Sequence, residues 1–249
     1  MDYSLFYMKA ARNYNFSRLD EGEVFDQTLK YIEEHLCSKD MQILDVGCGT
    51  GEYGYALKQR GYSVKGIDKS SSQIEIASKR ICAQRGDVLS LLQKSNSVDA
   101  ILMIMMVHQL KDYEIVTAFA EVVRVLKHGG VVIIKTCFEE DILKRITSQY
   151  FPSCLRFDRM RYPSKECLVS ANRNLTLCCC DKISINTSIS KERLIQKFRS
   201  RGASNIGMLS NEELEQGISR LLDDYSNKDD IELNFDNTFL VFECRKKVV

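Results

Sequence analysis

The 249-residue chain is short of histidine, proline and net charge, and each shortage excludes something. Only three histidines occur, His35, His108 and His128, and no two cysteines form a C-x-x-C pair. A zinc site therefore has little raw material, and no metal is expected. Cys178, Cys179 and Cys180 are consecutive. Neighbours on a strand point to opposite faces, so this triplet cannot converge on one ion. Lys plus Arg number 35 against 34 Asp plus Glu, a formal net charge of +1. That balance argues against a nucleic-acid partner held by a broad positive field, while a local basic patch stays open. The longest apolar run, Ala100 to Val107, has eight residues, well below the roughly 20 needed to cross a bilayer. Met1 to Met8 shows no basic stretch followed by an apolar one, so no secretory signal is expected. A reducing cytoplasm is the default, with the ten cysteines serving as small buried hydrophobes.

What is present is 44% hydrophobic and 28% charged, the profile of a globular protein. A chain of this length can bury about three quarters of its unfolded surface. Glu23 to Leu36 carries apolar residues at helical spacing. Gln42 to Val46 reads as a strand, followed by a helix to about Arg60 that Gly61 stops. Ser63 to Ile67 and Ala83 to Gly86 read as strands around a helix over Ser71 to Ile81. Val98 to Ile104 is the continuous apolar run of a parallel strand covered on both faces. Asp112 to Leu126 is predicted as a helix that ends at Gly129-Gly130, and Val131 to Thr136 as a fifth strand. This alternation predicts a doubly wound parallel sheet. Beyond Cys137 the rhythm breaks. Glu139 to Tyr150 reads as one helix, and Pro152 and Pro163 punctuate an irregular stretch with a short helix over Pro163 to Asn172. Leu175 to Ile189 is β-rich, Lys191 to Arg201 and Asn211 to Tyr225 are helical, Ser226 to Glu232 reads as a solvated loop, and Thr238 to Cys244 as the last strand.

The informative block is Ile43-Leu44-Asp45-Val46-Gly47-Cys48-Gly49-Thr50-Gly51. A strand ends, glycines turn the chain, and a helix begins with unpaired N–H groups facing the loop. A ligand can approach such a backbone closely at the carboxyl edge of the sheet. A nicotinamide dinucleotide fingerprint wants glycine at position 52, where this chain has glutamate, a poor neighbour for a pyrophosphate.

The block resembles motif I of the class I S-adenosylmethionine-dependent methyltransferases, and in particular the small-molecule group related to ubiquinone biosynthesis. Asp68, with Lys69 beside it, lies where the family's acidic residue grips both ribose hydroxyls, a task that suits a two-oxygen acceptor. Gly86-Asp87-Val88 is similar to the adenine-side motif, and Ser97 to Ile101 to the start of strand four. Glu121 to Gly130 is similar to the segment entering strand five, with His128 where proline is usual. The resemblance covers residues 10 to 136. It implies an α/β Rossmann-like fold: a doubly wound seven-stranded sheet, mostly parallel with an antiparallel last strand, and helices on both faces. It also implies S-adenosylmethionine as cofactor, with Asp45, Gly47, Cys48, Gly49, Gly51, Ile104 and Met105 around the donor. Asp45 either contacts the donor or orients the loop, and Cys48 is a small loop residue and not a nucleophile. Tyr14 and Arg18 resemble a Tyr-x-x-x-Arg stretch that closes over the donor, arginine facing a carboxylate; a solvated surface role is the rival.

One domain over 1–249 is expected: N-terminal cap helices in 1–36, a donor-binding core in 37–136, an acceptor lid in 137–175, and the remaining half of the sheet with a helical insertion in 176–249. Methyl transfer is an in-line displacement that needs positioning more than a strong base. His108, just past strand four, is either a proton acceptor or a brace for its segment. In the lid, Phe151, Phe157, Met160 and Tyr162 are expected to wall a pocket, and Arg156, Arg159 and Arg161 either meet an anionic group or form a solvated face. The expected activity is methyl transfer to a small-molecule acceptor. A peptide or RNA substrate, or a silent scaffold of the same fold, is the alternative, although the Asp/Asn-Pro-Pro-aromatic motif of nucleic-acid amino-methylation is absent after strand four. The acceptor atom stays open, as does the oligomeric state, monomer or homodimer.

Overall fold

The computed structural model describes residues 22–246. A seven-stranded sheet runs through the described chain in the order β3-β2-β1-β4-β5-β7-β6. Its strands are β1 (Gln42–Val46), β2 (Ser63–Asp68), β3 (Cys82–Arg85), β4 (Val98–Ile104), β5 (Leu126–Thr136), β6 (Leu175–Ser190) and β7 (Asp230–Cys244). β1 to β5 are parallel neighbours, while β7 is antiparallel to both β5 and β6. This is the expected Rossmann-like sheet with one reversed strand.

The central strands are apolar on both faces because both are covered. Leu44, Val46, Ile101 and Met103 pack with Phe119, Val122 and Ile115 of helix α4 (Asp112–Val125). Ile43, Ala100, Leu102 and Ile133 face the other way, toward Leu29 and Ile32 of α1 (Glu23–Glu34) and Leu57 of α2 (Glu52–Gln59). Helix α3 (Ser71–Ala77) begins at Ser70, whose hydroxyl accepts the Gln73 amide.

Several boundaries differ from the sequence reading. β5 begins at Leu126, which pairs with Val98 before the register jumps to Ala100 and Val131. The Lys127–Gly130 excursion is thus part of the strand's entry, with Gly129 at a φ of 77°. The helix expected over Glu139 to Tyr150 is two short ones, α5 (Glu139–Leu143) and α6 (Ile146–Tyr150). The stretch from Pro152 is helix α7 (Pro152–Arg161), since proline suits the first turn, where its missing N–H costs nothing. Helix α8 spans Lys165–Ser170, α9 Lys191–Ser200 and α10 Asn211–Asp224.

The largest departure is β7, which starts at Asp230 and not Thr238. Thr136, the end of β5, pairs with Thr238, so residues 230–237 run past the carboxyl edge of the parallel strands. There they pair with Ile183–Ser190 of β6 as a two-stranded ribbon. Phe151, Leu194, Phe198, Ile218 and Leu221 of the surrounding helices close over Ile231 and Leu233, making a second apolar core above that edge. All ten cysteines are unbridged, but Cys37, Cys82, Cys178 and Cys180 are exposed, so the reading of them as buried hydrophobes holds only for others such as Cys137, Cys154 and Cys244. No helix among the described residues is long and apolar enough to cross a membrane.

Candidate active site

The glycine loop leaves β1 and turns back at once. The Gly47 and Cys48 amides donate to the Ile67 carbonyl at 2.8 and 3.0 Å, tying the loop to β2. Gly47 has a φ of 71°, and a Cβ there would meet the Met106 Cβ at 2.8 Å, so only glycine fits. The Gly49 amide donates to Asp68 Oδ2 at 2.9 Å, and the Ser70 amide to Asp68 Oδ1 at 2.8 Å. Asp68 thus joins the two loops at the ends of β1 and β2 while lining a cleft of about 840 Å³. Burial pushes its pKa up, against the pull of these amides.

Asp45 is buried on β1. Burial, then the charge of Asp68, pushes its pKa up to about 7 against a hydrogen bond from the Gly54 amide. It does not line the cleft; it fastens the loop to α2. Cys48 points inward, where a Cβ on Gly66 would meet its Sγ at 2.8 Å. Burial, followed by Asp45 and Asp68, raises its thiol pKa, which fits an inert packing role. Gly51, at a φ of 81°, turns the chain into α2 against Ala77, and Glu52 pairs with Arg80.

Across the cleft stand Asp87 and Val88, with Lys69 Nζ 3.0 Å from Asp87 Oδ2. Burial works to raise the Asp87 pKa, but the Leu89 amide and Lys69 outweigh it and hold the carboxylate low. Gly47, Asp68, Lys69, Asp87 and Val88 therefore share one cleft. Gly47, where a Cβ would collide with Met106, and the facing carboxylates fit a nucleoside with hydroxyl and amine donors. Ile104 is core, packed on the α1 side of the sheet. Met105 lines a different space, described next, and has a φ of 53°, a strained backbone for a non-glycine residue. Tyr14 and Arg18 lie outside the described residues.

Beyond the cleft, under the ribbon, is a second cavity of about 200 Å³. His108, Arg161 and Tyr162 line both spaces and form the wall between them. His108 sits on the 3₁₀ turn Val107–Gln109, is buried, and stacks on Tyr162 with centroids 4.7 Å apart. Its Nδ1 has no hydrogen-bond partner among the described residues. Burial, then the charges of Arg161 and Arg145, holds its pKa well below the usual imidazole value. Burial likewise pushes the Tyr162 hydroxyl up to about 12.

Asp158, fully buried on α7, organises the inner end. Arg145 Nη1 donates to it at 3.1 Å, Arg161 Nη2 at 2.8 Å and Asn205 Nδ2 at 3.0 Å. Arg145 also donates to the Tyr162 hydroxyl at 3.2 Å, and Arg161 to Ser204 Oγ at 2.9 Å. Lys197, Asn205 and Phe235 are among the other residues of the lining. Of the lid residues expected to wall a pocket, Tyr162 lines both spaces and Met160 the cleft, while Phe151 lies in the second core. Phe157 lies under the Arg161 guanidinium at 4.2 Å. Of the three lid arginines named from the sequence, Arg161 lines the inner cavity; Arg159 lies at the outer cleft and pairs with Glu139 at 2.9 Å, and Arg156 is exposed. Arg145 and Lys197 were not singled out by sequence, because nothing local marks a helix-boundary arginine or a helical lysine as inward-facing. Elsewhere, His35, Cys179 and Asp181 bring ligand atoms within 4.8 Å of one another, but Asp181 already accepts the Tyr31 hydroxyl at 2.7 Å.

Comparison with known proteins agrees with this geometry. Residues 43–130 match the methyltransferase-domain family. Demethylmenaquinone methyltransferase of Staphylococcus aureus is 31% identical over 143 residues, 51% of this chain and 57% of that protein. The chain spans about half the length of the curated relatives it matches. A Methanosarcina mazei protein described as an S-adenosylmethionine-dependent methyltransferase superposes with a TM-score of 0.59 at 15% identity, over 87% of this chain and 98% of that one. Geranyl diphosphate C-methyltransferase of Streptomyces coelicolor gives 0.56 at 15% identity, over 89% and 79%. With motif I at the β1 turn, carboxylates at the ends of β2 and β3, and this strand order, the chain is similar to the class I S-adenosylmethionine-dependent methyltransferases, and residues 43–130 match their methyltransferase domain.

Proposed function

We propose that the chain transfers a methyl group from S-adenosylmethionine to a small-molecule acceptor held in the inner cavity, acting mainly by positioning. The observation that carries this reading is the shared wall: the donor-side cleft and the inner cavity meet at His108, Arg161 and Tyr162. S-adenosylmethionine supplies an electrophilic methyl on a sulfonium. Asp68 accepts ribose hydroxyls while keeping the two loops together, and Asp87 with Val88 faces the adenine. The Gly47 turn lets the backbone come close. Segment 137–175 acts as the lid, since Arg145 and the α7 residues close the cavity from that side.

His108 serves as a neutral wall and not as a proton store. A base works best with a pKa near the operating pH, and burial beside two guanidiniums holds this one far lower. Desolvation and alignment supply the acceleration. A cavity of about 200 Å³ under a ribbon suits a small molecule better than a peptide or RNA. The unbridged thiols suit a reducing cytoplasm.

The test is a metabolite extract incubated with the protein and isotopically labelled donor, read by mass spectrometry. A labelled low-mass product is expected. Label found only in protein or RNA, or in nothing while the donor binds, overturns the reading.

A further inference from the structure

Away from the cleft and the inner cavity, the end of α1 meets the edge strand β6. There His35, Cys179 and Asp181 bring a ring nitrogen, a sulfur and a carboxylate oxygen within 4.8 Å of one another. None of the three lines either space. A β-bulge sets the face that β6 turns toward α1. The strand pairs Leu177 with Phe242 and Cys179 with Val241, so Cys178 is the extra residue. Leu177 packs with the core on the α4 side, whereas Cys179 packs with the core on the α1 side. The bulge thus turns the strand over. Asp181, two positions on, shares the face of Cys179, and Cys178 and Cys180 stay exposed. The consecutive thiols do not converge, but one of them meets ligands from elsewhere.

The surroundings prepare the histidine and the carboxylate. His35 caps the end of α1, and its Nδ1 lies 2.8 Å from the Tyr31 carbonyl oxygen. A carbonyl can only accept, so Nδ1 carries the hydrogen and the neutral ring keeps its lone pair on Nε2. A backbone carbonyl behind the ring is a usual partner of a metal-binding histidine. The ring also leans on Tyr31, with centroids 4.3 Å apart, and Tyr31 leans on Phe239 at 4.2 Å. The Tyr31 hydroxyl donates to Asp181 Oδ2 at 2.7 Å. That bond takes one oxygen of the carboxylate and leaves Oδ1, so it orients the group without using it up. Tyr31 therefore stands behind two of the three groups, holding His35 with its carbonyl and Asp181 with its hydroxyl.

We infer that His35, Cys179 and Asp181 hold a zinc ion, with water in the fourth position of a tetrahedron. One imidazole, one thiolate and one carboxylate form a donor set for zinc, whereas magnesium and calcium take oxygen ligands. At bond lengths of about 2.0–2.3 Å the ligand atoms stand roughly 3.5 Å apart, a closure that rotation of the exposed Asp181 side chain supplies. Cys179 gives its thiol proton to solvent as the ion binds. The ion staples α1, the helix before the donor loop, to a strand 144 positions later in the chain. Composition and spacing point away from a metal because they register only ligands that lie close in sequence. The site stands independently of the methyltransferase reading.

The test uses the full chain, stripped of metal with a chelator and titrated with Co2+ and with Zn2+. One equivalent of Co2+ is expected to bind in the micromolar range, with a thiolate-to-metal charge-transfer band. That band is expected to vanish in Cys179→Ser and to persist in Cys178→Ser and Cys180→Ser. Competition with a chromophoric chelator reads Zn2+ affinity. His35→Gln and Asp181→Asn are each expected to weaken it about tenfold or more, and Tyr31→Phe, which removes only the hydroxyl behind Asp181, about tenfold. No binding in that range, or a band unchanged in Cys179→Ser, overturns the inference. So does a band lost in Cys178→Ser or Cys180→Ser, which assigns the ion to the exposed thiols. Should Cys179→Ser fail to fold, Asp181→Asn decides, since it keeps an acceptor for Tyr31 and removes only the charge; unchanged Zn2+ affinity there overturns the inference.

Discussion

His108 shows how one residue's environment decides between roles that sequence leaves open. Its place after β4 is visible in the chain, but Arg145 and Arg161 reach it from α6's start and α7's end. Those arginines lie 37 and 53 positions downstream, so no local pattern reveals that the imidazole is held neutral. The consequence for stability has a definite sign. Below the unfolded value of 6.5 the unfolded chain binds a proton that the folded protein refuses, so the group costs stability as pH falls and costs nothing above that value. Asp45, with its pKa raised to about 7, works in the opposite direction over much of the same range, but equally in a His108 variant. The difference between parent and His108→Gln isolates the histidine. Thermal melts from about pH 7.5 down to about pH 5 should show the parent losing ground to the variant as pH falls. A difference that stays constant with pH contradicts the neutral, buried assignment.

At the scale of elements, the parallel half of the sheet was legible because its cues are local. Continuous apolar runs at β1 and β4 and the glycine turn after β1 mark it, and the structure puts those elements where they were read. The last strand was not legible over its first residues. Asp230–Asn237 alternates polar and apolar residues and includes three acids; Ser226 to Glu232 reads as a solvated loop and the strand as starting at Thr238, until β6 pairs with the earlier residues. Pairing partners 40 to 54 residues apart supply that order, and only tertiary contact can show it. The packing of α10 on the lid helices is equally non-local. A Cβ on Gly217 would lie 2.2 Å from Phe151 Cε1 and 2.8 Å from the Tyr150 carbonyl oxygen. Phe151 is fully buried and cannot swing away. Gly217→Ala should therefore destabilise the fold by about 1–3 kcal/mol through overpacking, despite alanine's better helix propensity of roughly 1 kcal/mol. Chemical denaturation measures this. A variant as stable as the parent, or more so, contradicts the close approach of α10 to α6 and α7.

For the molecule as a whole, the donor side was legible and the acceptor side was not. Motif I, Asp68, Asp87 and Val88 sit within about 45 residues of one another, and the parallel topology gathers them at one edge of the sheet. The acceptor side is assembled from the 3₁₀ turn and Met105 ahead of it, α6, the end of α7, α9 with the loop after it, and β7, so its residues come from five separate stretches of chain. The donor cleft is the foundation of everything proposed for the second cavity. Its most direct test is calorimetric titration with S-adenosylhomocysteine of the parent and of Asp68→Ala. The account predicts micromolar binding to the parent, about −8 kcal/mol, and a loss of about 1.5–3 kcal/mol in the variant, because two hydroxyls lose a charged acceptor and two loops lose their link. No heat with the parent while a nicotinamide dinucleotide binds, or equal affinity in the Asp68→Ala variant, would contradict it.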